Sequence, residues 1–416
     1  MNRKKKIALI ISVAIVLTAI VGIGFAFSSL NKNDTLDPTE DDLKPINYNA
    51  VKIANNSEII NFGSCTSKNQ DENCYLIVNE AMITLKNSKV EKIDGDTTNL
   101  KDSINTGQNS AILGTYGTYA KVLNSTINTS ADGANAIYIN GTHAEGEIND
   151  SIIETLKTNS AGLVATNNGY IKGNHTTITT KVKYSPAIRV LDEESEIELT
   201  NTTLETNGSS SPIIDSNGKI YLTESTGTAN GSRIANLKDN ANIVINNSSF
   251  IVSGGSDDEY DYSAILITSD NKNKNCIFQS INSSLNINKN LPYYNLASFI
   301  IIDKSNAEID LENTSLNFGS NKFLKATDSK ITFNLKKQVI HGGIELNNST
   351  LQMNLSAESS YTGSLNDNNV SIYLSKDSEL NLTGDMYIKE LKNDDETNNN
   401  ISLNGYHLYV NNELIK

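Results

Sequence analysis

The chain has no tryptophan, five prolines, three cysteines and four histidines, and its 416 residues include only three arginines, Arg3, Arg189 and Arg233. Each scarcity excludes something. With a net charge of −14 and so little arginine there is no basic footprint for neutralising phosphates, which removes nucleic acid from the expected partners. The histidines, His143, His175, His341 and His407, lack metal-ligand spacing and read as surface or corner residues. No glycine-rich nucleotide loop and no serine-nucleophile motif is present. Nothing resembles an interdomain linker, so one elongated domain is expected rather than the two or three that length alone suggests.

The N-terminus speaks of a membrane. Arg3, Lys4, Lys5 and Lys6 precede an uncharged apolar run from Ile7 to Phe27, and its 21 residues suffice for a ~30 Å hydrocarbon core. The basic cluster stays cytoplasmic and the rest is delivered outside. The expected organisation is an anchor or uncleaved signal over 1–28, a tether over 29–50, a body over 51–391 and a C-terminal strand or cap over 392–416. Small residues at Ala26 and Ser28 leave a secreted form as the alternative. The tether is polar, acidic around Glu40, Asp41 and Asp42, and broken by Pro38 and Pro45. Outside the cell, Cys65 and Cys74 read as a small disulfide loop, the alternative being two unpaired thiols. Cys276, beside Ile277 and Phe278, reads as a buried thiol.

What the sequence has in excess is asparagine, 60 residues or about one in seven, and its placement is phased. Asn87, Asn124, Asn149, Asn201, Asn247, Asn282, Asn313 and Asn348 each open a tetrapeptide of the form Asn, two mostly small polar residues, then an apolar one. His175 fits the same frame, giving steps of 25, 26 and 26 residues from Asn124 to Asn201; later steps of 35 and 31 imply inserts. Short apolar strands precede each motif, such as Ala136 to Ile139, Gly162 to Ala165 and Ala187 to Val190, and alternating pairs such as Ile197 and Leu199 stand just before the Asn. Three short period-two runs per 25 residues, separated by Gly, Asn, Asp and Ser, fit a coil of parallel strands. Coils stack about 4.8 Å apart, so equivalent asparagines form a column able to hydrogen-bond along the axis, and Asn tolerates the left-handed backbone of a tight corner. About 12 turns would make a rod on the order of 60 Å long.

With those strand triplets and Asn-Ser-Thr-apolar corners the chain resembles the right-handed parallel β-helices of pectate-lyase-like folds and adhesin-type surface proteins. Its tail, with Leu380-Asn-Leu-Thr-Gly-Asp385 and Asn404-Gly-Tyr-His-Leu-Tyr-Val410, is similar to the end of clostridial adhesin-like and carbohydrate-binding-domain β-helix proteins. The resemblance covers about residues 75 to 416 and implies the fold, an all-β right-handed parallel β-helix behind an N-terminal transmembrane helix. It does not choose among lyases, hydrolases, adhesins and spacers.

Chemistry is sparse. A β-helix lyase needs acidic calcium ligands beside a cationic base, and a glycosidase needs carboxylates flanking the bond; Arg189 has only Asp215, one turn later, near it. Asp257, Asp258, Glu259 and Asp261 form an acidic loop that is a candidate for calcium, and otherwise no cofactor is expected. If Ile137, Ile139, Ile188 and Val190 face the core, alternation turns Leu113, Tyr138, Val164 and Arg189 outward as a partly apolar strip, the expected ligand-binding face. The expectation is a membrane-anchored, cell-surface binding protein recognising a saccharide or a host-surface ligand; a polysaccharide lyase or hydrolase is the alternative, then a spacer. The topology has a direct test: protease added to intact cells should remove the body and leave the N-terminal fragment in the membrane. A body that survives in sealed cells defeats the surface location.

Overall fold

A computed structural model describes residues 47–415 apart from 255–261, 272, 320–321, 366 and 368. Ile7 to Phe27 and most of the tether lie outside the described residues, and no helix within them is long and apolar enough to cross a membrane. The chain winds as a stack of coils, each giving one strand to each of three parallel sheets. The first sheet starts at Asn49–Ala54, the second at Glu58–Asn61 and the third at Ser64–Ser67. Among the described residues these hold 12, 14 and 10 strands, and the third face continues as a four-stranded sheet from Val339–His341 to Ile401–Ser402. Register is regular: Ile137 lies beside Leu163, Glu145 beside Tyr170 and Ile152 beside Thr177. Fourteen strands at about 4.8 Å give a rod near 60 Å.

Alternation explains the core. In the second sheet Ile148, Ile171, Ile197, Ile220 and Ile243 point into the coil and are fully buried, while their sequence neighbours point out. Burying each such side chain contributes roughly 1.5–3 kcal/mol, so the stack depends on every coil keeping its apolar residues in phase.

The corner between second and third sheets is turned by one residue with left-handed φ: Asn87, Asn124, Asp150, His175, Asn201, Glu224, Asn247, Asn282, Asn313 and Lys337, all with φ between 45° and 51°. Side-chain amides do bond along it, Asn124 to Asn87 at 2.6 Å and Asn313 to Asn282 at 2.8 Å. Yet Asn124, Asn201, Asn247, Asn282 and Asn313 are exposed, and two expected members belong elsewhere. Asn149 ends the strand Glu145–Asn149 and donates to Glu147; Asp150 holds the corner place. Asn348 turns the corner between first and second sheets and donates to Asp328.

The buried column is the next residue of the motif. Ser88, Ser125, Ser151, Thr176, Thr202, Ser225, Ser248, Ser283 and Thr314 are at most 5% exposed. Each hydroxyl donates to the carbonyl two residues back, as Ser125 does to Leu123 at 2.7 Å and Ser248 to Asn246 at 2.7 Å. Most accept from the corner N–H of the preceding coil: Ser88 N–H donates to Ser125 at 2.9 Å, Thr202 to Ser225 at 3.1 Å, Ser225 to Ser248 at 2.9 Å. Gln338, Ser359 and Ser378 continue the column, and Ser160, Ser185 and Ser211 repeat the device at the third-to-first corner.

The ends differ. At the N-terminal end Ile53, Ile59 and Phe62 are exposed, and Cys65 and Cys74 are joined with Cα atoms 5.9 Å apart. Lys92 is buried in the second coil and donates to Ser67 at 3.3 Å; burial pushes its ammonium down to about 8, partly offset by Glu72 and Asp71. Cys276 is free and buried, its thiol pushed up to about 12 by that burial. At the C-terminal end Leu408–Val410 lies parallel to Met386–Ile388 and pairs antiparallel with Glu413–Leu414.

The spine makes a mutational prediction. Ser225→Ala leaves the buried N–H of Thr202 without its acceptor and should cost about 1–3 kcal/mol in urea denaturation. Asn201→Gly, which keeps the left-handed corner and loses only an exposed amide, should cost less than Ser225→Ala; the reverse order contradicts the hydroxyl spine.

Candidate functional site

The expected strip on the first sheet has the orientation that alternation gives it, but it does not meet solvent. Ile137 and Ile139 face the main core; Leu113, Tyr138 and Val164 face the other way and, at no more than 1% exposed, form a second apolar cluster with Leu76 and Ala161. A helix, Leu100–Thr106, supplies part of the cover. Asn99 caps its start by accepting from Lys101 N–H at 3.0 Å, and Gly107 ends it at φ 80°. That glycine is required twice over, because a Cβ there would sit 2.6 Å from the Tyr138 ring. The helix carbonyls left without intrahelical donors are taken by the sheet and the entering chain. Tyr138 hydroxyl donates to Ile104 at 2.7 Å, Asn140 to Thr106 at 3.1 Å and Tyr48 to Thr106 at 3.0 Å. A ring so enclosed offers no face for stacking on a sugar. Arg189, at the end of the strip, is paired through Nε with Asp215 at 3.0 Å, and Lys238 approaches the same carboxylate at 4.0 Å.

The outward face of the second sheet is different. Five consecutive strands present two columns of side chains, half-buried except for the exposed Glu198: Tyr119 and Lys121, Glu145 and Glu147, Tyr170 and Lys172, Glu196 and Glu198, Lys219 and Tyr221, each beside its counterpart in the next coil. Every one lies between two inward-pointing core residues, so its position is fixed by the same alternation that builds the core. Coils carrying tyrosine and lysine alternate with coils carrying two glutamates.

The columns are wired together. Tyr119 hydroxyl donates to Glu147, and Tyr170 hydroxyl to Glu198 at 2.9 Å. Lys121 pairs with Glu147 at 2.7 Å, and Lys172 with Glu145 at 2.8 Å and Glu147 at 3.6 Å. Burial pushes the Glu147 carboxyl up, but the Lys121 and Tyr119 hydrogen bonds and the Lys121 and Lys172 charges outweigh it and hold the group at about 2. Glu196 moves the other way: burial raises it, Lys219 opposes and Glu198 adds to the rise. Burial and then the neighbouring glutamates lift Tyr119 and Tyr170 well above the usual phenol range. With four carboxylates and three ammonium groups, the face is almost neutral on a chain of net charge −14.

Two signals in the sequence point to this arrangement. The 37-residue step from Asn87 to Asn124, against 25 or 26 for its successors, marks the insert that becomes the covering helix. Tyr-x-Lys, Glu-x-Glu, Tyr-x-Lys, Glu-x-Glu, Lys-x-Tyr recurs just before successive corner motifs. The acidic loop of Asp257, Asp258, Glu259 and Asp261 lies outside the described residues; among the described residues no group of three or more His, Cys, Asp or Glu is placed to hold a metal. No family model, no curated protein and no solved structure matches the chain.

The opposite shifts of Glu147 and Glu196 give a pH prediction with a defined sign. Glu147 lies below its ordinary 4.5 in the folded state, so its stabilisation is complete above about pH 4.5 and is lost as pH falls toward 2. The deficit of Glu147→Gln against wild type should therefore shrink over that window in denaturation measured at a series of pH values. Glu196, raised on folding, should give the opposite sign, with Glu196→Gln more stable than wild type at neutral pH.

Proposed function

We propose that this chain is a cell-surface or exported rod that binds a saccharide along the outward face of its second sheet, between Tyr119 and Tyr221. The observation that carries the reading is the set of half-buried tyrosines, Tyr119, Tyr170 and Tyr221, set among fixed carboxylates and ammonium groups. Rings offer flat apolar surface to sugar C–H faces, and the charged groups around them donate and accept hydrogen bonds to hydroxyls. The apolar run Ile7 to Phe27 supplies the tether to a membrane, and a solenoid offers the extended surface that binding a polymer requires.

A second reading has one observation behind it. Glu147 and Glu196 are pushed in opposite directions, the pattern that separates an acid from a base in a hydrolase. Against it, Glu147 is engaged by Tyr119, Lys121 and Lys172 at once, leaving it poorly placed to accept a proton. Binding without turnover is therefore the favoured function.

The test is a panel of insoluble and soluble polysaccharides offered to the full-length chain, with a reducing-end assay on the same mixtures. Retention on at least one polymer, lost in the triple variant Tyr119→Ala, Tyr170→Ala, Tyr221→Ala with folding intact, is expected. Retention that survives the triple variant removes the face, and release of reducing ends abolished by Glu196→Gln replaces binding with catalysis.

A further inference from the structure

The candidate face has a period that the core does not. Core residues recur in every coil, whereas a tyrosine and a lysine share every second coil: Tyr119 and Tyr170 lie two coils apart in one column, Tyr221 lies two coils further in the neighbouring column because its pair is reversed, and the glutamate pairs 145/147 and 196/198 fill the coils between. Two coils rise ~9.6 Å. The pattern stops at the next coil, where Asn242 and Val244 occupy the columns, and it has not begun at Met82 and Thr84. It is therefore a bounded segment of four coil steps from Tyr119 to Tyr221, ~19 Å long.

From this period we infer that the ligand is an extended β-1,4-linked polysaccharide lying along the rod axis, with its disaccharide repeat in register with coil pairs. The inference rests on the saccharide reading above and specifies the polymer. In such a chain alternate sugars are turned by half a rotation, so one face and one set of ring substituents recur at every second sugar, a distance close to two coils. Tyr119 and Tyr170 then meet equivalent sugar faces, Tyr221 reaches the next equivalent sugar from the neighbouring column, and each glutamate pair meets the hydroxyl or amide donors of the sugar between. An α-linked helical glucan of the same length does not keep that spacing.

Charge narrows the class. Across the segment four glutamates oppose three lysines, and Lys121 and Lys172 are already bound to Glu145 and Glu147 at 2.7–3.6 Å. A polyanion would meet no free row of cations there, on a protein that is itself strongly acidic. The ligand that fits carries neutral hydroxyl or acetamido groups. The alternation of Tyr/Lys and Glu/Glu coils also serves the face itself, because Glu145 and Glu147 are held by Tyr119 and Lys121 from one coil and by Lys172 from the other, and Glu198 accepts from Tyr170.

The experiment is a length series on the full-length chain, using N-acetylglucosamine and cello-oligosaccharides from one to eight sugars, with malto-oligosaccharides as the α-linked control, read by calorimetry. Affinity should rise in steps at every second added sugar and level off once the oligomer spans Tyr119 to Tyr221. Tyr170→Ala, at the middle of the segment, should weaken hexasaccharide binding on the order of tenfold and change disaccharide binding little. A smooth rise with each sugar, or maltohexaose binding as tightly as the β-linked hexamers, overturns the register while leaving saccharide binding in place. Binding of some other glycan in the wider panel, abolished by the tyrosine variants, with no β-1,4 oligomer bound, overturns the polymer assignment alone. No glycan bound at all overturns both.

Discussion

A chain that coils in register must turn a corner with residues that leave the strand ladder, and at each corner one backbone N–H is left that no strand can reach. Every other feature of the rod depends on satisfying that group. Here the solution is a left-handed residue followed by a buried serine or threonine. Its hydroxyl closes onto its own coil through the carbonyl two residues back and, where it is serine, accepts from the coil before it. A buried donor without a partner costs about 1–3 kcal/mol, and with more than ten coils an unsolved corner would exceed the net stability of an ordinary domain. Once corners are solved, the core needs only apolar residues in phase, and the outward positions are released from structural duty.

That division explains what could be read from the sequence. Strand alternation and corner spacing repeat in every coil, so errors average out and the parallel coil was legible from Asn124, Asn201 and Asn313 and the strands before them. The chemistry of the corner was less so. Asparagine is conspicuous, yet its role is mainly to allow φ near 50°, which Glu224, Asp150 and Lys337 also adopt in the same column. The hydroxyl one residue later is the shared buried group, and serine draws little attention in a chain rich in it. Phase was sound except at Asn149, where an Asn-Asp pair offered two readings one residue apart, and at Asn348, whose motif turns the corner between the first and second sheets.

The site was harder because it depends on what lies above a sheet, and period-two reasoning says only which way a side chain leaves the backbone. Tyr138 leaves the coil outward and is then enclosed by an element contributed from 38 to 32 residues earlier in the chain, between Leu100 and Thr106. Burying that strip is also why the helix can exist. A seven-residue helix has almost no intrinsic stability, and its carbonyls are held by Tyr138, Asn140 and Tyr48 from other parts of the fold. On the second sheet no such insert intervenes between Tyr119 and Tyr221, and the face remains half exposed.

The hydroxyl spine also gives the rod a direction. In each link the donor belongs to the earlier coil and the acceptor to the later one, from Gly63 onto Ser88 through Ser359 onto Ser378. Where the later residue is a serine or Gln338, the corner N–H of one coil is filled by its successor, while the hydroxyls of Thr176, Thr202 and Thr314 only donate. Ser378 breaks the sequence: its N–H turns back to Ser375 within its own coil at 3.1 Å. The hydroxyl device therefore stops one coil short of the end it serves: Glu390–Asn393 and Ile401–Ser402 still add a turn, tied on by the Asn400 amide, which donates to the Ser375 and Ser378 carbonyls at 3.2 and 3.0 Å, so the final coil is held by a side chain reaching back rather than by a backbone group reaching forward.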